Sequence, residues 1–159
     1  MHRATYLFLT LCLFMGGCGN APLVTLSESA PVEGWTRDWK PEFRFSIEDS
    51  LSEFNSFIDI RHTGEYPYSN LYVFLDLYKG DVHLNRDTIE CPLASPDGKW
   101  LGKGLGFIHE DRFDAHVLYR FRKRFPGVGD YTMKLEQAMR RETLEGVLDV
   151  GISIEFVDP

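Results

Sequence analysis

Apolar and polar residues alternate with a period of two along most of this chain. Phe43, Phe45 and Ile47 alternate with Glu42, Arg44 and Ser46. Phe54, Ile58 and Ile60 share one side of the next run, with Asp59 and Arg61 on the other. Leu71, Val73, Leu75 and Leu77 oppose Tyr72, Phe74, Asp76 and Tyr78. Val117, Tyr119 and Phe121 oppose Leu118, Arg120 and Arg122. Tyr131, Met133, Leu135, Gln137 and Met139 oppose Thr132, Lys134, Glu136 and Arg140. Leu148, Val150, Ile152, Ile154 and Phe156 oppose Asp149, Gly151, Ser153 and Glu155. Many short runs of this kind predict strands that each bury one face.

Turn residues separate the runs: Lys79-Gly80-Asp81, Ser95-Pro96-Asp97-Gly98, Pro126-Gly127 and Gly129-Asp130. No long window keeps a period of 3.6, although Glu110 to Ala115 has room for one helical turn and Glu136 to Leu144 is a rival helix. One apolar and one polar face per strand predicts an all-β fold, an antiparallel β-sandwich of roughly seven to nine strands. A small closed barrel is the runner-up. Trp35 and Trp39 are expected to pack the start of the domain, and Trp100 its core.

The amino end breaks the pattern. Met1-His2-Arg3 leads into an apolar run from Ala4 to Phe14, then Gly16-Gly17-Cys18. Charge, grease and small residues in that order describe a secretory signal peptide, too short to span a bilayer. Met15-Gly16-Gly17-Cys18 resembles the bacterial lipobox, with Met15 in place of the usual Leu. Cys18 is therefore the expected first mature residue and the site of lipidation. The chain divides into 1–17 (cleaved signal), 18–34 (lipidated end and tether, with small polar residues and two prolines) and 35–159 (sandwich domain). Neither Gly19 nor Asn20 is the Asp that retains some lipoproteins in the inner membrane. No acid follows before Glu28, so the expected location is the outer membrane, facing the periplasm.

Charge narrows the partners. The formal net charge of −7 becomes −8 once Arg3 leaves with the signal. An acidic chain is poorly suited to nucleic acid, which is bound through clustered Lys and Arg. The dense basic run, Arg120 to Arg124, is interrupted by Phe121; in a regular strand its arginines share one solvated face. Cys12 leaves with the signal and Cys18 is acylated, so Cys91 is left without a disulfide partner and is expected to be buried.

Candidate chemistry is sparse. His109-Glu110-Asp111-Arg112-Phe113-Asp114-Ala115-His116 is the densest polar cluster, but its spacing matches no metal loop, and a solvated loop is expected. Nucleophile elbow, His-Glu-x-x-His and phosphate-loop motifs are absent. Gly102, Gly104 and Gly106, on alternate positions, read as an irregular strand. Paired carboxylates for glycoside hydrolysis cannot be matched from sequence alone. The aromatic loop Tyr66-Pro67-Tyr68-Ser69-Asn70 precedes a strong strand; its rings either stack on a sugar or protein partner, or cap the end of the sandwich.

Tyr66 to Leu71, Gly98-Lys99-Trp100-Leu101-Gly102, Gly129-Asp130-Tyr131, Gln137 to Arg140, Gly146-Val147 and Asp149 to Ile152 together resemble the gliding motility lipoprotein family GldH of the Bacteroidota. The resemblance covers nearly all of the chain. It implies a non-enzymatic envelope lipoprotein that serves the gliding machinery or its associated secretion system, with no cofactor, no metal and no catalytic residue to carry over. The expected contact surface is Tyr66, Tyr68 and Asn70, joined by Arg140 and Arg141. A glycan- or peptidoglycan-binding module and an envelope hydrolase are the rival functions.

Overall fold

A computed structural model describes residues 22–104 and 111–157. Among them the chain forms β1 (Val24–Ser29), β2 (Trp35–Thr36), β3 (Glu42–Ile47), β4 (Phe54–Thr63), β5 (Asn70–Lys79), β6 (Val82–Pro92), β7 (Lys103–Gly104), β8 (Arg112–Lys123), β9 (Gly129–Gln137), β10 (Thr143–Leu144) and β11 (Val147–Phe156). Eight of these exceed two residues, and every pairing is antiparallel. One sheet has the order β1-β11-β4-β8-β7 and the other β3-β9-β5-β6, with β10-β2 as a separate ribbon. The fold is an all-β sandwich, and residues 138–142, between β9 and β10, form a bend rather than a helix.

Alternation sets the core. Phe43, Phe45 and Ile47 of β3, Leu71 to Leu77 of β5 and Tyr131, Met133 and Leu135 of β9 bury one face of their sheet. Ile58 and Ile60 of β4, with Val150, Ile152 and Ile154 of β11, face them. Each such side chain contributes about 1.5–3 kcal/mol through apolar area removed from water. Trp35 and Cys91 are fully buried, while Trp39 and Trp100 are half-buried against the core.

The two ends of the sandwich differ. At the end where β1 starts, Phe125 sits edge-on to Phe45 of one sheet and Phe54 of the other, at 5.8 and 5.6 Å between ring centres. This proximal end also receives the starts of β4, β6 and β9 and the ends of β3, β5, β8 and β11. The distal end is closed by Trp35, which donates to the Trp39 carbonyl at 2.9 Å, and by His62 among Tyr66, Trp100 and Phe113.

Three local expectations are corrected. The segment expected to be a tether contains β1, paired with β11 from Val24↔Ile154 to Ser29↔Asp149, because Val24 and Leu26 pack on the core. In β8 the alternation fails after Tyr119. Register slips between Phe54 and Phe57 on the partner strand, and Arg122 adopts a left-handed φ of 49°. Phe121 is therefore exposed, and Arg120 joins Tyr119 at Asp87 instead of sharing a face with the other arginines. In β11 the bulge between Val147 and Asp149 buries Val147 and leaves Leu148 only half-buried.

Candidate functional site

The loop from β4 to β5 turns tightly after Thr63. Tyr66 N donates to the Thr63 carbonyl at 3.2 Å, and Glu65 N to Thr63 Oγ1 at 3.3 Å. Tyr66 then enters the core, its hydroxyl donating to the Asn70 carbonyl at 3.1 Å. Burial pushes its pKa above the ordinary phenol value. Tyr66 therefore caps the sandwich and is not a contact residue, which corrects that expectation. Tyr68 meets it edge-on, at 5.7 Å and 75°. The two rings form no coplanar platform for a sugar. Asn70 commits its amide to Glu90 Oε1 at 2.7 Å.

A second segment meets this loop at the distal end. The bend after β9 is held by Gln137, buried, whose Nε2 donates to the Arg141 carbonyl at 2.8 Å and whose Oε1 accepts from Met139 N at 2.9 Å. Arg37 completes the bend, donating to the carbonyls of Met139 (3.2 Å), Arg140 (3.0 Å) and Arg141 (3.4 Å). With its backbone fixed, the bend presents Arg140 and Arg141 to solvent. Arg141 Nε donates to the Tyr68 hydroxyl at 3.1 Å.

The result is a ridge between two hollows. On one side Tyr72, Ala138 and Met139 floor a groove of about 390 Å³, rimmed by Tyr68, Arg140 and Arg141. On the other, a hollow of about 250 Å³ lies among Glu65, Pro67, Thr143 and Glu145. Neither Arg140 nor Arg141 forms an ion pair with a carboxylate within 4.0 Å among the described residues. An apolar floor beneath guanidinium donors suits an extended peptide carrying an apolar side chain next to a carboxylate. Three of the expected residues thus converge: Tyr68 meets Arg140 and Arg141, which lie 72 and 73 residues further along the chain. Arg37 was not foreseen; nothing in its local sequence marks it, since its role depends on carbonyls a hundred residues away.

A different polar cluster covers the outer face of the β1-containing sheet. Asp59 Oδ1 lies 2.5 Å from His116 Nδ1, and Asp59 Oδ2 accepts from Ser153 Oγ at 2.5 Å. Arg61 bridges Asp114 (2.6 Å) and Asp149 (3.2 Å). These groups line a shallow hollow of about 310 Å³. Asp59 stands between the serine and the histidine. A nucleophile relay needs the histidine in the middle, taking the serine proton. His109 and Glu110 lie outside the described residues. Among those described, no group of three or more His, Cys, Asp or Glu could hold a metal, and no helix is long and apolar enough to cross a membrane.

Residues 24–154 match the family described as GldH lipoprotein. The chain is 28% identical to the protein named gliding motility lipoprotein GldH homolog of Christiangramia forsetii, across 98% of this chain and 96% of that protein. It is 30% identical to gliding motility lipoprotein GldH of Flavobacterium johnsoniae, across 78% of this chain and 79% of that protein.

Proposed function

Because this chain belongs to the GldH lipoprotein family, we propose that it works as a non-enzymatic holder of other envelope proteins in the gliding or associated secretion machinery. Family membership makes it a membrane-anchored lipoprotein of gliding motility. In this reading the acyl chains sit on Cys18, in the outer membrane on its periplasmic side. Each buried methylene adds about 0.8 kcal/mol, so several chains give a lasting anchor where one is marginal. The observation that carries the holding role is the Arg141–Tyr68 contact at 3.1 Å, which unites two distant segments over an apolar floor, with guanidinium rims that have no carboxylate within 4.0 Å among the described residues. Most of that surface is fixed in advance by Arg37 and Gln137, which lowers the ordering cost of binding.

A photo-cross-linker in place of Tyr68, activated in living cells, tests this. The expected product is a discrete protein adduct that weakens when Arg140 and Arg141 are both changed to Ala. Capture of sugar or lipid alone, or an adduct indifferent to the double change, overturns the holding role. Neither a glycan-binding module nor a hydrolase has comparable support: the tyrosines form no sugar platform, and Ser153 and His116 meet only through Asp59.

A further inference from the structure

Pairing of β1 within the sheet leaves only a short link to the amino end. From Cys18 to Val24 there are six residue steps, which at full extension reach about 20 Å. A tether running to residue 34 reaches about 50 Å. If Cys18 carries the anchor, the proximal end of the sandwich is held against the bilayer, since β1 begins there.

That end has the side chains for such a contact. Leu51 is 79% exposed, Val82 63%, Phe121 61% and Val128 56%, with Phe156 and Leu23 also open to solvent. All six lie at the proximal end, and they are more than half of the large apolar side chains so exposed among the described residues. They project from separate elements: the loop from β3 to β4, the hairpin from β5 to β6, the end of β8, the loop from β8 to β9, the end of β11 and the approach to β1. Lys123 and Arg124 stand beside Phe121, with no carboxylate within 4.0 Å among the described residues. Arg122 is neutralised by Glu53 at 2.8 Å. Acids share the end as well: Asp49 accepts from Leu51 N and Ser52, and Asp130 from Ser46, and both keep their charge, so the apolar side chains carry the contact and the two cations only add to it. Glu48 and Asp81 remain open to solvent.

We infer that the proximal end is a second, non-covalent membrane contact: Leu51, Val82, Phe121, Val128, Phe156 and Leu23 dip into the headgroup region of the leaflet that holds the anchor, and Lys123 and Arg124 meet lipid phosphates. The occupant is the bilayer itself, because a link of about 20 Å leaves little room for a protein between it and this end. Apolar side chains at the interface beside cations are the general means of peripheral docking. The inference rests on the Cys18 anchor.

The test uses the full acylated protein reconstituted in 3:1 phosphatidylethanolamine:phosphatidylglycerol vesicles that contain doxyl-labelled lipid. A bimane label is placed at Leu51→Cys, at Val128→Cys, or at the distal control Val32→Cys; Cys91 is buried and does not compete. Expected is at least twofold stronger quenching at both proximal positions than at Val32→Cys. The advantage should fall by half or more when Phe121 and Phe156 are both changed to Ser. Equal quenching at all three positions in protein that floats with the vesicles overturns docking while leaving the anchor intact. A native mass without acyl chains on Cys18, or failure to float, overturns the anchor and docking together.

Discussion

His62 is fully buried with one ring nitrogen paired and the other bare. Its Nδ1 lies 2.9 Å from the Thr63 carbonyl, a contact that requires the proton on Nδ1. Nε2 then carries a lone pair and finds no partner among the described residues, between the rings of Trp100, Tyr66 and Phe113. Burial pushes the imidazole pKa below 6.5, against the opposing pull of the Thr63 carbonyl and the Asp114 charge. The unfolded chain therefore takes up a proton more readily than the folded one. The contribution is fully present above pH 6.5 and is lost as pH falls below it. Glu42, bonded to Lys134, and Glu136, where bonds from Arg86 and Lys40 outweigh burial, are held below 4.5 and act in more acidic solution. Urea unfolding between pH 6.5 and 4.5 should show stability falling in the wild type and a shallower fall in His62→Phe. Identical slopes would remove His62 as the cause. Burial likewise pushes the Cys91 thiol up to about 12. Because the thiolate is the reactive form, maleimide at pH 7.5 should leave Cys91 unmodified in the folded protein and label it only in denaturant, read by peptide mass. Labelling of the folded protein would mean that this strand opens.

Which strands were readable depended on where each sits in its sheet. β5 lies between β9 and β6 and alternates without a break, so periodicity alone identified it and its core face. β6 escaped because it is an edge: Asn85 and Asp87 occupy its inward positions, bonded to Tyr119 across the gap between sheets, so no apolar rhythm marks it. β1 escaped because only Val24 and Leu26 reach the core. Burial of the Tyr66 ring was one of two open outcomes, since an aromatic loop reads alike whether it caps or protrudes. The convergence of Tyr68 with Arg141 was half-legible: both residues stood out, but their contact depends on register between β5 and β9. β1 also supplies a test. A Cβ on Gly151 would lie 2.5 Å from the Leu26 carbonyl oxygen, so no side chain fits while β1 stays paired. Gly151→Val should destabilise the domain by about 1–3 kcal/mol. The loss, measured in urea, should come with new proteolysis between residues 24 and 29. A neutral effect would mean that β1 is dispensable to the sheet.

At the scale of the molecule the two ends divide the work. β5 links them, and ten strand residues at about 3.3 Å each put the Tyr68–Arg141 ridge roughly 30 Å from the proximal loops. If the proximal end lies on the bilayer, the ridge stands at that fixed height, which suits a holder whose partner is also fixed in the envelope. Two things could set the height: the short link to Cys18, or the apolar contact itself. A spacer of twelve Gly and Ser residues inserted before Leu23 separates them, since a flexible chain of that length adds about 20 Å of reach on average. With a donor dye at Val32→Cys and acceptor lipids in the leaflet, energy transfer should be unchanged by the spacer alone, because the apolar contact still holds the domain down. Transfer should fall only when the spacer is combined with Leu51→Ser, Phe121→Ser and Val128→Ser. If the spacer alone lowers transfer, the link sets the height and the exposed apolar end is not a membrane contact.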